Sequence, residues 1–208
     1  MAVTPLTGSR RVLSNAKFMY LTPWTSETTA PTASSTTYDI SDIIADTVNI
    51  EQDDPEVNTT ESEFSDSPLF ENTKLGKYNF AATCVDTQND LVKAIFGWSE
   101  DSTGTTKGVY APTSYSYLYA EIVIGFANAI VVLPKVRLDS KLVIGTLKTG
   151  QAQSQISGTC YDAYVSFNAS GADANAKKCP IAIKSVASET AAASLAEDVR
   201  VSTSEFSS

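Results

Sequence analysis

Apolar and polar positions alternate most cleanly in two stretches. From Leu75 to Cys84, Tyr78, Phe80, Ala82 and Cys84 fall on one face and Lys77, Asn79, Ala81 and Thr83 on the other, a period of two that predicts a strand with one buried face. Further on, Tyr115, Tyr117 and Tyr119 lie on one side, with Leu118, Ala120, Ile122, Ile124 and Phe126 on the other. After a short Ala127-Asn128 turn the chain returns through Ala129 to Leu133, which predicts a β-hairpin. Between these stretches Leu91, Val92, Ile95 and Phe96 repeat at helical spacing. Asp86 is placed to cap, Asp90 lies near the first turn and Lys93 near the last, and Gly97 stands just past the end, so a helix of about three turns is expected. Its stripe reads as core packing.

Weaker signals fill the remainder. Ala16–Leu21 reads as a short strand. Pro134 ends or bulges the returning hairpin strand, because it cannot donate to a ladder. Lys135–Leu138 and Lys141–Leu147 follow it, then a turn at Lys148-Thr-Gly150 and one long strand from Gln151 to Phe167 that starts exposed and ends buried. Asn168–Lys178 reads as a small-residue loop, Pro180–Val186 as a last strand and Ser188–Ser208 as an Ala-rich arm, partly helical or frayed. In Thr22–Thr37, ten of sixteen residues are Ser or Thr and only Trp24 can anchor, so a loop is expected. Gly104 and Gly108 lack the Lys-Ser/Thr tail of a phosphate loop and mark a turn. The expected division is an N-terminal arm and Ser/Thr-rich loop over 1–37, a β domain over 38–186 and a C-terminal arm over 187–208.

One segment fits no core. From Val57 to Phe64 neither alternate face is apolar, so the segment is either disordered or an extended arm whose backbone pairs with another copy of the protein. Pro55 and Pro68 bracket it as breakers. Charge sharpens this picture. Of the 24 acidic residues, eleven lie between Tyr38 and Glu71, where there is no Lys or Arg, and the other 13 are outnumbered by 15 basic residues. The net charge of −9 therefore belongs to this block. It is either a solvated run or a surface that must not hold something negative.

Composition then excludes chemistry. There is no histidine, which removes the commonest general base, the Ser-His and Cys-His pairs and the commonest metal ligand. Cys84, Cys160 and Cys179 are odd in number and lack metal-site spacing, so they read as small buried hydrophobes. Glu61 and Glu63 could be an acid–base pair, but such spacing occurs in any acidic run. Asp53-Asp54-Pro55-Glu56 lacks the spacing and glycine of a calcium loop. The tyrosine row has no basic residues among its rings and reads as packing or a subunit contact before base stacking. No catalytic residue, metal or cofactor is expected. No window reaches the length of a membrane span and the first eleven residues lack a signal-peptide core, so a soluble product is expected.

In order, the parts are an acidic arm (Asp46–Glu71), a strand running into a capped helix that ends Gly97-Trp98, a tyrosine-flanked hairpin with a Leu-Pro-x-Val break (Glu121–Leu138), and a long Gln-rich strand (Lys148–Phe167). This layout resembles the major tail tube proteins of tailed bacteriophages. The resemblance implies a mainly β sandwich or barrel with one flanking helix and extended loops and arms. It further implies a virion tail protein, assembled in the host cytoplasm as hexameric rings stacked into a tube. Double-stranded DNA would pass through that tube unbound, and the partners would be other copies and other tail proteins, such as the tape measure, the tail terminator and the baseplate or tip. Another self-assembling virion protein, or the inner tube of a phage-like injection system, is the alternative.

Within this expectation, Glu51, Asp53, Glu61 and Glu63 are candidates to line the lumen, on one side of their strands. Cationic walls would hold DNA by counterion release, whereas carboxylates would not. Candidate inter-subunit contacts are Arg10, Arg11, Val57, Thr59, Phe64, Lys135 and Arg137. The basic members of that set could instead take the acidic residues of an adjacent ring as partners.

Overall fold

The computed structural model describes residues 13, 15–40, 42–44, 46–62, 65–85, 88–101, 108–114, 116–143, 153–169 and 176–205, with only the backbone described at 58–62, 65–71 and 143. In chain order the elements are β1 (Phe18–Pro23), β2 (Tyr38–Asp39), β3 (Asn49–Gln52), β4 (Glu56–Ser62), β5 (Ser65–Lys74) and β6 (Tyr78–Cys84). Next come α1 (Asn89–Phe96), β7 (Ser99–Glu100), β8 (Val109–Tyr110), β9 (Leu118–Gly125), β10 (Ala129–Leu138) and β11 (Lys141–Val143). The chain continues with β12 (Gln153–Tyr161), β13 (Ala163–Ser166), β14 (Lys177–Cys179), β15 (Ala182–Ser185), α2 (Glu189–Asp198) and β16 (Arg200–Ser202). Strands account for 49% and helices for 12%, so the protein is mainly β.

The main sheet runs β2-β1-β9-β10-β12-β6-β3, with β11 added on β12 and β15 on β10, and its pairings are antiparallel. The segment after β2 carries the chain from one side of this sheet to the other. Ile40 N–H donates to the Met19 carbonyl on β1, while Ile44 N–H donates to Thr83 and Val85 N–H to Asp42 beside β6. An isolated bridge joins Ile43 to Cys84. The sheet therefore curls back on itself, as closure of exposed edges favours.

Inside the curl lie Met19, Leu21, Phe80, Ile122, Ile124, Leu133 and Ile156, all essentially without solvent contact. Helix α1 adds Leu91 and Ile95 to this core. The opposite face is half covered. Phe18, Val123, Ile130 and Val132 meet Ala192 and Ala196 of α2, together with Ala163, Val165 and Val201 from the small sheet β14-β13-β16. Strand β9 is consequently buried on both faces from Ala120 onward, and this includes Glu121, which sits on the tyrosine side of the alternation.

The hairpin β9–β10, strand β6 with its buried Phe80, Ala82 and Cys84, and the apolar stripe of α1 form as the alternation predicts. Gly97 closes α1 at φ 67°, with its N–H on the Lys93 carbonyl at 2.9 Å, a left-handed position that costs other residues more. The start of α1 differs from expectation. Gln88 is the N-cap and makes no side-chain cap bond, leaving eight helical residues, about two turns. Asp86 lies outside the described residues. At Pro134 the strand bulges and continues: the register of β9 against β10 shifts between Leu133 and Val136.

Four expectations are corrected. The Gln151–Phe167 strand is two, β12 and β13, which belong to different sheets on either side of Asp162; on β12 the core face is Ile156, Gly158 and Cys160. The Ala-rich C-terminal segment is partly helical as expected, but it is docked and not an arm, because α2 packs its alanines on the main sheet and β16 pairs with β13. Ser188 caps α2 by accepting the Ala191 N–H at 3.2 Å. The region 1–37 is likewise not wholly an arm, since β1 is hydrogen-bonded along its whole length to β9. Finally, Pro68 does not bracket the acidic segment but lies within β5. The expected turn at 148–150 lies outside the described residues.

The inner core sets the stability. Ile156→Ala should cost about 2–5 kcal/mol, read from the midpoint of urea unfolding; a loss below about 1 kcal/mol would mean that β12 does not pack as described.

Candidate self-assembly interface

Strands β4 and β5 form a sheet of their own. Val57 is opposite Thr73, Thr59 opposite Glu71 and Ser62 opposite Ser65, with one register shift after Thr60. The segment expected to be either disordered or an arm awaiting a foreign strand thus brings its own partner. At about 3.3 Å per residue, the ten residues of β5 span roughly 33 Å. Val57 is 53% exposed and Leu75, at the base, 83% exposed. The stretch 56–74 holds five carboxylates against the single Lys74.

The base of this arm is tightly built. Asp53 N–H donates to the Lys77 carbonyl at 2.8 Å, and Asn79 Nδ2 donates to Asp53 Oδ1 at 2.7 Å. Gly76 passes so close to Asp53 that a Cβ there would fall 1.7 Å from the Asp53 carbonyl oxygen. Only glycine fits that crossing.

The proposed lumen residues do not share one strand. Glu51 is exposed on β3, an edge of the main sheet, near Asn49 Nδ2 at 3.5 Å. Asp53 lies in the link after β3, held by Asn79, and Glu61 is on β4 in the separate hairpin. Alternation cannot carry from β3 to β4 across Asp53–Pro55, because the two strands belong to different sheets. Glu63, Phe64, Arg10 and Arg11 lie outside the described residues.

Lys135 and Arg137 form a cluster that sequence reading missed. The Lys135 ammonium lies 4.9 Å from the Tyr119 ring, 5.2 Å from Trp24 and 6.0 Å from Tyr161. The Arg137 guanidinium stacks 4.8 Å over Tyr117 and 5.8 Å from Tyr161, and meets Asp139 at 3.6 Å. The tyrosine row lacks basic neighbours along the chain yet acquires them from the next strand, where Arg137 is opposite Tyr119. Counting back from the Ala127-Asn128 turn and allowing one extra residue at Pro134 would have found this pairing. Across the sheet the same row continues from Arg137 through Thr159 and Asn79 to Glu51. At about 4.8 Å per strand, Glu51 is roughly 14 Å from Arg137, too far to pair within one subunit.

Among the described residues no group of three His, Cys, Asp or Glu is arranged to hold a metal ion, and no helix is long and apolar enough to cross a membrane. Cys84 and Cys160 are buried thiols outside any disulfide, Cys84 donating to the Ser154 carbonyl, and Cys179 is half-buried. Burial pushes the Cys160 thiol up to about 12, so it stays protonated and inert at neutral pH. No protein-family model matches the chain, and no curated protein matches it significantly.

Lys135 between three rings should be worth about 0.5–2 kcal/mol. Lys135→Met should lower stability by that amount in urea unfolding, and Lys135→Arg should recover most of it; equal losses in both variants would point to packing of the stem.

Proposed function

We propose that this protein is a structural subunit that associates with copies of itself into hexameric rings, stacked as a tube through which viral DNA passes, in a virion tail. The observation that carries this reading is the acidic hairpin β4–β5, which stands outside the main sheet. A lone two-stranded hairpin is marginal in water. Its outer edges offer unpaired backbone groups, which favour pairing with another chain. The mainly β body and its order of parts agree with the tail tube resemblance.

The remaining chemistry fits a conduit better than a catalyst. The chain has no histidine, and its negative charge sits on the arm and on the exposed β3 edge around Glu51. Repeated around a ring, such carboxylates would repel the phosphate backbone weakly, at about 1 kcal/mol for an exposed contact near 4 Å. A wall of lysines would retain DNA at every ring. Lys135 and Arg137, set among tyrosines, offer a basic surface to a neighbouring copy, and the other tail proteins are the expected partners at the tube ends.

Electron microscopy of the concentrated protein tests this reading. Rings of six or hollow rods are expected, and replacing residues 57–73 by a short Gly-Ser link should abolish them while the body still unfolds cooperatively. A wild-type chain that stays monomeric at high concentration overturns the proposal. In assembled tubes Glu61→Lys with Glu63→Lys should leave the rods intact and slow DNA passage. Loss of rods would instead place these residues at a subunit contact.

A further inference from the structure

A cavity of about 350 Å³ lies between β1, β9 and the layer formed by α2 and β16, a size at the lower end of small-molecule sites. Its floor is the outer face of the main sheet, where Tyr20 is opposite Val123 and Thr22 opposite Glu121. Val199 forms a side wall, and the Ser/Thr-rich loop roofs it with Ala33 and its neighbours.

Glu121 is the unusual member. Its side chain is 6% exposed and lines the cavity, and among the described residues no hydrogen-bond donor meets its carboxyl. The positive charge that bears on it is Arg200, whose guanidinium is held to backbone through one nitrogen. Arg200 Nη1 donates to the Glu197 carbonyl at 2.7 Å and to the Val199 carbonyl at 2.6 Å, at the C-terminal end of α2. Its Nε is buried without a partner.

The other ionisable groups around the space are mostly acidic. Tyr20 on β1 has its hydroxyl pKa raised, first by burial and then by the charges of Asp39 on β2 and Glu197 on α2. Both of those carboxylates also line the cavity. On β10, Lys135 is directed to Trp24, Tyr119 and Tyr161. Three carboxylates thus surround the space against one guanidinium already bonded to backbone.

A buried carboxylate is costly unless it is paired. An anionic ligand would be opposed by Asp39 and Glu197, and a neutral one would draw nothing from the ionised form of Glu121. We propose that this cavity binds a small primary ammonium compound, its charged head on Glu121 and its aliphatic stem against Val123 and Val199. A charge-assisted bond to the buried carboxyl provides the recognition, and the apolar walls at Val123 and Val199 hold the stem.

The sign of the pH dependence follows. Burial, opposed by Arg200, raises Glu121 to about 8, so in the empty cavity it is mostly protonated at neutral pH and the ammonium must displace that proton. An alkylammonium with a lysine-like pKa stays charged to about pH 10. Affinity therefore increases with pH, by about thirtyfold from pH 6.5 to pH 9, as the ionised fraction of a group at about 8 does.

Calorimetric titration with butylammonium chloride at the two pH values tests this, with butan-1-ol as the uncharged probe. Saturable binding at pH 9, about thirtyfold weaker at pH 6.5 and absent for butan-1-ol, is expected, and Glu121→Gln should abolish it. No binding by the wild type, equal binding of the alcohol, or unchanged binding by Glu121→Gln overturns the proposal. Should that variant not fold, Ala33→Trp on the exposed roof must weaken binding, and wild-type affinity there overturns the proposal equally.

Discussion

The bulge at Pro134 lets one strand serve two partners, and the layered body depends on it. Up to Val132, β10 is paired on one edge with β15; from Lys135 onward the same edge is taken by β12. Proline has no N–H to offer a ladder, so it sits where the ladder changes hands. Its carbonyl, buried at this break, accepts the Trp24 indole N–H at 3.0 Å. The one aromatic anchor of the Ser/Thr-rich loop is thereby fastened to the point where the sheet bends. That bond also satisfies a polar group that would otherwise be costly to bury.

From this point the two cores separate. Beyond the bulge β12 carries Ile156 and Cys160 into the inner curl, while Ala163 and Val165, just past Asp162, belong to the outer layer with α2. A single alternation along Gln151–Phe167 cannot fit both strands, because the buried positions change from even (Ile156, Gly158, Cys160) to odd (Ala163, Val165) at the corner that changes the sheet. Alternation speaks of faces and is silent about which sheet owns them. The same blindness hid the cation–aromatic row, where the rings and the cations are adjacent only across the hairpin, and it hid the pairing of β4 with β5.

What was legible came from strong local periods: Phe80-Ala82-Cys84, the Ala120–Ile124 alternation with its return, and Leu91-Val92-Ile95 closed by Gly97. What was not legible was docking that rests on small residues. Helix α2 buries only Ala192 and Ala196, and alanines at helical spacing give little contrast with a Ser/Thr-rich tail. Their value lies in closeness, since they let the helix lie against Val123 and Val132. Glu121 was masked for the opposite reason. An acidic residue within an apolar strand reads as solvent-facing, and only a second layer over that face buries it.

The way the arm is fastened has a mechanical result. Its two roots, Asp53 and Lys77, are clamped to each other, and Asn79 ties the same spot to β6. Beyond Gly76, where the two passes cross at the minimum separation, the arm has no slack. A load on its tip is therefore delivered through a stiff fulcrum to β6, the strand that holds Phe80 at the centre of the inner core. Tension between neighbouring copies would reach the hydrophobic interior of each, linking the strength of any assembly to the cohesion of its parts.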